Sequence, residues 1–139
     1  MEKTVSIQWG GYYASKSEDG LYRLSRLLDF TDDAYHAALF QEEFTTIPTW
    51  SDVRVLKPSI GHSPISALQF YHQEMLSIGS SPLKKEDLGG FRIYLEHLYY
   101  SHDDIEEIFE NLIKNSQLGP LTLAISLNND TLRVRAVQQ

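Results

Sequence analysis

The sequence predicts a single α+β domain spanning residues 1–139. Its antiparallel sheet draws on an N-terminal strand and hairpin and a C-terminal hairpin, with about three central helices on one face. Three observations predict it. Ser101 to Asn115 has the period of an amphipathic helix, Leu121 to Val137 alternates like a hairpin, and Val5, Ile7 and Trp9 alternate with Ser6 and Gln8 at the other end.

The first strand covers Val5 to Trp9. Gly10-Gly11 loosens the pattern, and Ser15 to Gly20 reads as a polar loop. Leu21 to Phe44 fits two templates. Leu21, Leu24 and Leu28 have helical spacing, whereas Tyr22, Leu24, Leu28 and Phe30 have strand spacing. A turn at Asp32-Asp33 sets Phe30 opposite Tyr35, Leu28 opposite Ala37, Leu27 opposite Ala38, Asp29 opposite His36 and Arg23 opposite Glu42. Apolar then meets apolar and opposite charges meet, so the hairpin is preferred, although Arg26 falls against Leu39. The helical alternative has good propensity in Leu21–Phe30, with Thr31 capping a second helix.

Thr45 to Ser63 is punctuated by Pro48, Pro58 and Gly61 and reads as irregular, with a short helix or extended stretch from Trp50 to Leu56. Ser66 and Gln69 have capping-box spacing, and Ile65 and Phe70 have staple spacing. They start a helix through Leu68, Tyr71, Met75 and Ile78 that Gly79 ends. A further helix runs from Glu86 to Tyr99 on a stripe of Phe91, Leu95 and Leu98. Gly89-Gly90 weakens its start or admits another backbone. Ser101 caps the last helix, whose first turn is acidic and whose stripe is Ile105, Ile108, Phe109, Leu112 and Ile113. Gly119-Pro120 stops it. In the closing hairpin a turn at Asn129-Asp130 sets Leu127 opposite Leu132, Ile125 opposite Val134 and Leu123 opposite Ala136. Arg133 and Arg135 face solvent or the acidic helix.

Net charge is -7, and it is concentrated. Ile93 to Ile113 holds Glu96, Asp103, Asp104, Glu106, Glu107 and Glu110 with no Lys or Arg, which leaves the remainder near neutral. That balance argues against nucleic-acid binding and makes a basic partner easier to accommodate, although a solvated helix face that keeps the protein soluble is the preferred explanation of the acids themselves. There is no cysteine, which removes disulfides, thiolate metal sites and a cysteine nucleophile and fits a reducing compartment. No apolar run is long enough to span a bilayer, and the N-terminus does not read as a signal peptide. The expected location is the cytoplasm.

Catalytic patterns are sparse. His36, His62, His72, His97 and His102 form no metal-ligand spacing, and His102-Asp103-Asp104 is explained by the helix dipole. There is no G-x-S-x-G elbow and no phosphate-cradling glycine motif. Asp29 and His36 read as a structural cross-strand pair. No cofactor or metal is implied, and the chain leans away from an enzyme.

The expected function is therefore a protein-interaction module, an inhibitor-, immunity- or adaptor-type binder of a basic partner. Tyr99, Tyr100, Asp103, Asp104 and Glu107 are its candidate contacts. The alternative is a small-molecule-binding domain or small enzyme with a site between the sheet and residues 45–63, using Trp50 and His62. A third reading is a homo-oligomer joined through a sheet edge.

Overall fold

The computed structural model describes residues 2–30 and 34–137, the Phe70 side chain excepted. The chain opens with β1 (Glu2–Ile7), β2 (Gly11–Lys16), β3 (Tyr22–Phe30) and β4 (Ala34–Phe44). Next come α1 (Trp50–Val53), β5 (Ile60–Ser66), α2 (Leu68–His72) and β6 (Leu76–Ser80). A 3₁₀ turn over Lys85–Leu88 leads into α3 (Gly89–His97), followed by α4 (His102–Ser116), β7 (Leu121–Asn128) and β8 (Thr131–Ala136).

The strands form two antiparallel sheets, not the shared one expected. The ends of the chain do meet: β1 pairs with β7, and the small sheet has the order β1-β7-β8. The β3–β4 hairpin instead lies within a separate sheet ordered β5-β4-β3-β2-β6. Burial explains the split. Leu24 to Leu28 of β3 are all buried, so this strand is covered on both faces. One face, with Tyr13, Leu27, Tyr35 and Ala37, packs on Ile7, Leu123 and Ile125 of the small sheet. Leu28, on the other face, packs on α3 and α4 through Phe91, Leu95, Ile105, Phe109 and Leu112. Val53 of α1 joins Tyr12, Leu24 and Phe40 on that same side. Two of the three expected helices, α3 and α4, thus cover one face of the large sheet beside the short α1, while Tyr71 of α2 lies in the core between the sheets.

The extended reading holds for Tyr22–Phe30 and Ala34–Phe44, with Phe30 opposite Tyr35 and Asp29 opposite His36. The Asp32-Asp33 turn lies outside the described residues. Beyond Asp29 the register departs from expectation. Leu28 bulges out of the ladder, so Leu27 faces Ala37, Arg26 faces Ala38, and Arg23 faces Glu43. The bulge turns Leu28 into the helix-side core, where it is fully buried, and removes the Arg26–Leu39 mismatch.

The helix predicted between Ser66 and Gly79 is replaced. α2 lasts only five residues, and Leu76–Ser80 is a strand. Ser66 Oγ does accept from the Leu68 amide at 3.2 Å, but α2 has no side-chain N-cap. The proposed Ile65–Phe70 staple falls on a side chain outside the described residues. Leu76 to Ser80 gains more as a strand, because β2 offers it an edge and its Ile78 packs on the Tyr12–Phe40 cluster. Two further strands were unread. β2 replaces the expected loosening after Gly10, and β5 occupies the end of the supposedly irregular segment despite Pro64. β5 is an edge strand, where a missing amide is tolerated.

The C-terminal half follows the sequence closely. Ser101 caps α4 through the Asp104 amide at 3.1 Å, and Ile105, Phe109 and Leu112 are buried. Each such side chain contributes about 1.5–3 kcal/mol of burial. β7 and β8 pair in the expected register, with Asn129 and Asp130 both at positive φ as a type I′ turn requires. Arg135 pairs with Glu2 at 3.2 Å and with no acid of α4 among the described residues. α3 begins later than expected, after the 3₁₀ turn, and its Leu98 is exposed instead of buried. Gly90 explains how α3 sits on β5. A Cβ there would stand 2.8 Å from the Gly61 carbonyl carbon, so the two backbones touch.

Candidate functional site

The candidate residues fall on two separate surfaces. His62 projects from β5 beside His36 of β4, and their rings meet through Nδ1 of His36 and Nε2 of His62 at 2.9 Å. Ladder pairing places the strands side by side, with Ala37 opposite Ser63. The His62 ring lies parallel to Phe91 at 4.6 Å and tilts against Tyr94 at 4.4 Å, both from α3. Burial, and then the neighbouring His36, lower its pKa from 6.5 to about 4. The Asp29 carboxylate, set opposite His36 in register, accepts from Trp9 Nε1 at 3.0 Å and from the Phe30 amide at 2.9 Å.

The neutral His62 ring makes stability depend on pH. In the folded state it stays uncharged down to about pH 4, while the unfolded ring protonates near 6.5. Between those values the unfolded state binds the extra proton, so stability falls as pH drops from 6.5 to 4 and is fully present above 6.5. After discounting for the half-exposed ring, the loss is about 1–2 kcal/mol. His62→Phe keeps the flat contact on Phe91 and is expected to flatten this part of the profile. Urea unfolding across that range measures the slope, and an unchanged slope in the variant assigns it elsewhere.

Trp50 opens α1 under a Thr49–Asp52 capping box. Its ring meets Tyr12 edge-on at 5.1 Å and lies on Gly79, where a Cβ would come within 2.5 Å of it. Trp50 therefore clamps α1 to β6.

The second surface surrounds the α3–α4 junction. The Tyr100 amide bonds to the Leu95 carbonyl at 3.1 Å and the Tyr99 amide to the Glu96 carbonyl at 3.0 Å. This is a Schellman closure of α3. Such a closure needs a left-handed residue, and Tyr99 supplies it at φ 64 where glycine is favoured. The strain projects Tyr99 into solvent at 96% exposure, flanked by Leu98 at 51% and Tyr100 at 44%. Replacing Tyr99 by glycine is expected to raise stability by about 0.5–1 kcal/mol. Chemical denaturation checks it, and a loss of stability would mean that Tyr99 holds the junction.

Tyr100 leads directly into α4, where Asp103 and Asp104 of the first turn and Glu107 of the next are exposed. None of the three makes an ion pair among the described residues. Their neighbour Glu106 differs. Hydrogen bonds from Arg92 and Lys85 hold its carboxyl down at about 2. Glu110 pairs with Lys114 at 3.7 Å. The unneutralised charge therefore collects at the end of α4 beside the tyrosines.

A cleft of about 860 Å³ lies between the helix-side face of the five-stranded sheet and two arms, residues 54–61 and 81–90. Tyr12, Ala38 and Phe40 face it, and Gly61 lines it, but Trp50 and His62 do not. Its cations, Arg26, Arg54, Lys57 and Lys84, went unread in the sequence, because no spacing links positions brought together from three segments.

No family model, curated protein or solved structure matches the chain. Among the described residues, no group of three His, Asp or Glu side chains is placed to hold a metal, and no helix is long and apolar enough to cross a membrane.

Proposed function

We propose that this chain is a protein-interaction module of the inhibitor, immunity or adaptor type, and that it docks a basic partner on the surface from Leu98 to Glu107. The observation that carries the reading is Tyr99, held almost wholly exposed by a strained backbone next to three unpaired carboxylates. No contact among the described residues requires that arrangement. A glycine would close α3 more cheaply, and a polar residue would suit solvent better. Tyrosine offers a large contact area at low entropic cost, and the acids offer steering toward a positive surface.

Affinity capture from the native host tests this reading. The immobilised protein is expected to retain a basic protein at about 0.05 M salt and release it at about 0.5 M. A preparation carrying Asp103→Lys, Asp104→Lys and Glu107→Lys should retain none. Equal retention by both preparations, or no basic protein in either, contradicts the reading.

A further inference from the structure

We infer that the cleft between the five-stranded sheet and the two arms is a binding site for a small organic phosphate with a flat or apolar body. The inference is independent of the tyrosine surface, which lies on other residues. Its volume falls within the range of small-molecule sites and exceeds two other depressions of about 510 and 520 Å³. Its sheet side is apolar, contributed by Leu28, Ala38 and Phe40, with Tyr12 beside them.

Arg26 is built into this floor. It is only 7% exposed, and a buried guanidinium demands partners. Its Nη2 donates to Ser81 Oγ at 2.9 Å and to the Ser81 carbonyl at 3.1 Å, and its Nε donates to the Gly10 carbonyl at 3.3 Å. Asp87 lies 3.2 Å from Nη1. The side chain also covers the Tyr12 ring, with the guanidinium carbon 5.0 Å from the ring centre. Arg26 thereby ties the 81–90 arm to the sheet and keeps the cleft's width fixed without a ligand.

The rim has a different balance. Arg54 and Lys57 stand on one arm and Lys84 on the other, all exposed. None makes an ion pair among the described residues. Facing them are two acids. Asp87 is engaged by Arg26 and by the Lys84 amide at 2.9 Å, which leaves Glu86 as the free one. Of the other cations, Arg23, Lys85, Arg92, Lys114 and Arg135 are each matched to a carboxylate, whereas Lys3, Lys16 and Arg133 have no ion pair among the described residues but do not line this cleft. In a chain of net charge -7, three unmatched cations around one apolar floor repel each other. A multivalent oxyanion relieves that repulsion, and the aromatic and aliphatic floor takes the body that carries it.

Calorimetric titration with phenyl phosphate tests the assignment, with inorganic phosphate and phenol as the separated halves of the probe. Phenyl phosphate is expected to bind saturably at one site and more tightly than either half. Arg54→Gln with Lys84→Gln changes only exposed side chains, so the fold should persist by circular dichroism while affinity falls about tenfold or more. Glu86→Gln is expected to raise affinity. Phospholipid headgroups share the phosphate chemistry. A headgroup anchored in a bilayer cannot place its body in the cleft, however, so vesicles containing phosphatidic acid are not expected to sediment the protein. No saturable heat, equal affinity in the double variant, or sedimentation with vesicles but no binding of phenyl phosphate overturns the inference.

Discussion

Changing Gly90 to alanine will destabilise the protein by about 2–3 kcal/mol, although helix propensity alone favours alanine by about 1 kcal/mol. The two effects have opposite signs, so the experiment separates them cleanly. A Cβ at Gly90 would meet the Gly61 carbonyl carbon at 2.8 Å, the Gly61 Cα at 3.0 Å and the His62 amide nitrogen at 3.0 Å. All three are backbone atoms of β5, so no side chain can swing away. Relief requires α3 to lift from the strand, and lifting it opens the stack of Phe91 and Tyr94 on His62. Urea unfolding reports the midpoint. The neighbouring Gly89 meets nothing within 4 Å, so Gly89→Ala serves as the control that should show propensity alone. If Gly90→Ala is the more stable protein, the contact between α3 and β5 is not as described.

The second large effect concerns binding. Reversing Asp103, Asp104 and Glu107 to lysine is expected to weaken the complex with the basic partner about 100-fold or more, mostly through slower association at low salt. Because none of these carboxylates has an ion pair to lose among the described residues, fold stability should change little, by roughly 0.5 kcal/mol apart from the lost helix-dipole interaction. Truncating Tyr99 to alanine should act differently, raising the dissociation rate at every salt concentration. Surface plasmon resonance at several salt concentrations distinguishes the two. A triple variant with wild-type kinetics would remove α4 from the interface.

Much of the fold was legible where local signals agreed. In α4 the serine cap, the acidic first turn and the apolar stripe all specified the same helix. In the closing hairpin the Asn129-Asp130 turn and the alternation specified the same register. Tyr22–Phe30 and Ala34–Phe44 were extended as expected, and Phe30 met Tyr35, but the Leu28 bulge was invisible because it answers to α3 and α4, which lie far along the chain. Leu76–Ser80 misled for a related reason. Its apolar residues extend a helical stripe from Leu68, and only the waiting edge of β2 makes a strand preferable.

The candidate sites divide in the same way. Tyr99, Tyr100, Asp103, Asp104 and Glu107 are close in sequence, so their grouping was readable. The strain at Tyr99 that exposes it was not readable, because it follows from how α3 closes. His62 was singled out, but its contact with His36 depends on the pairing of β4 with β5, a strand that the prolines concealed. The cleft cations come from β3, from the segment after α1 and from the segment before α3. Only the tertiary fold assembles them.

Amide chemical-shift mapping of the isotope-labelled protein, titrated with its captured basic partner, tests the central claim most directly. The account predicts perturbations concentrated at Leu98 to Glu107, fading at high salt, with the cleft rim at Arg54, Lys57 and Lys84 unmoved. Perturbations centred on that rim or on the β8 edge, with Tyr99 and Asp103 unchanged, would contradict it.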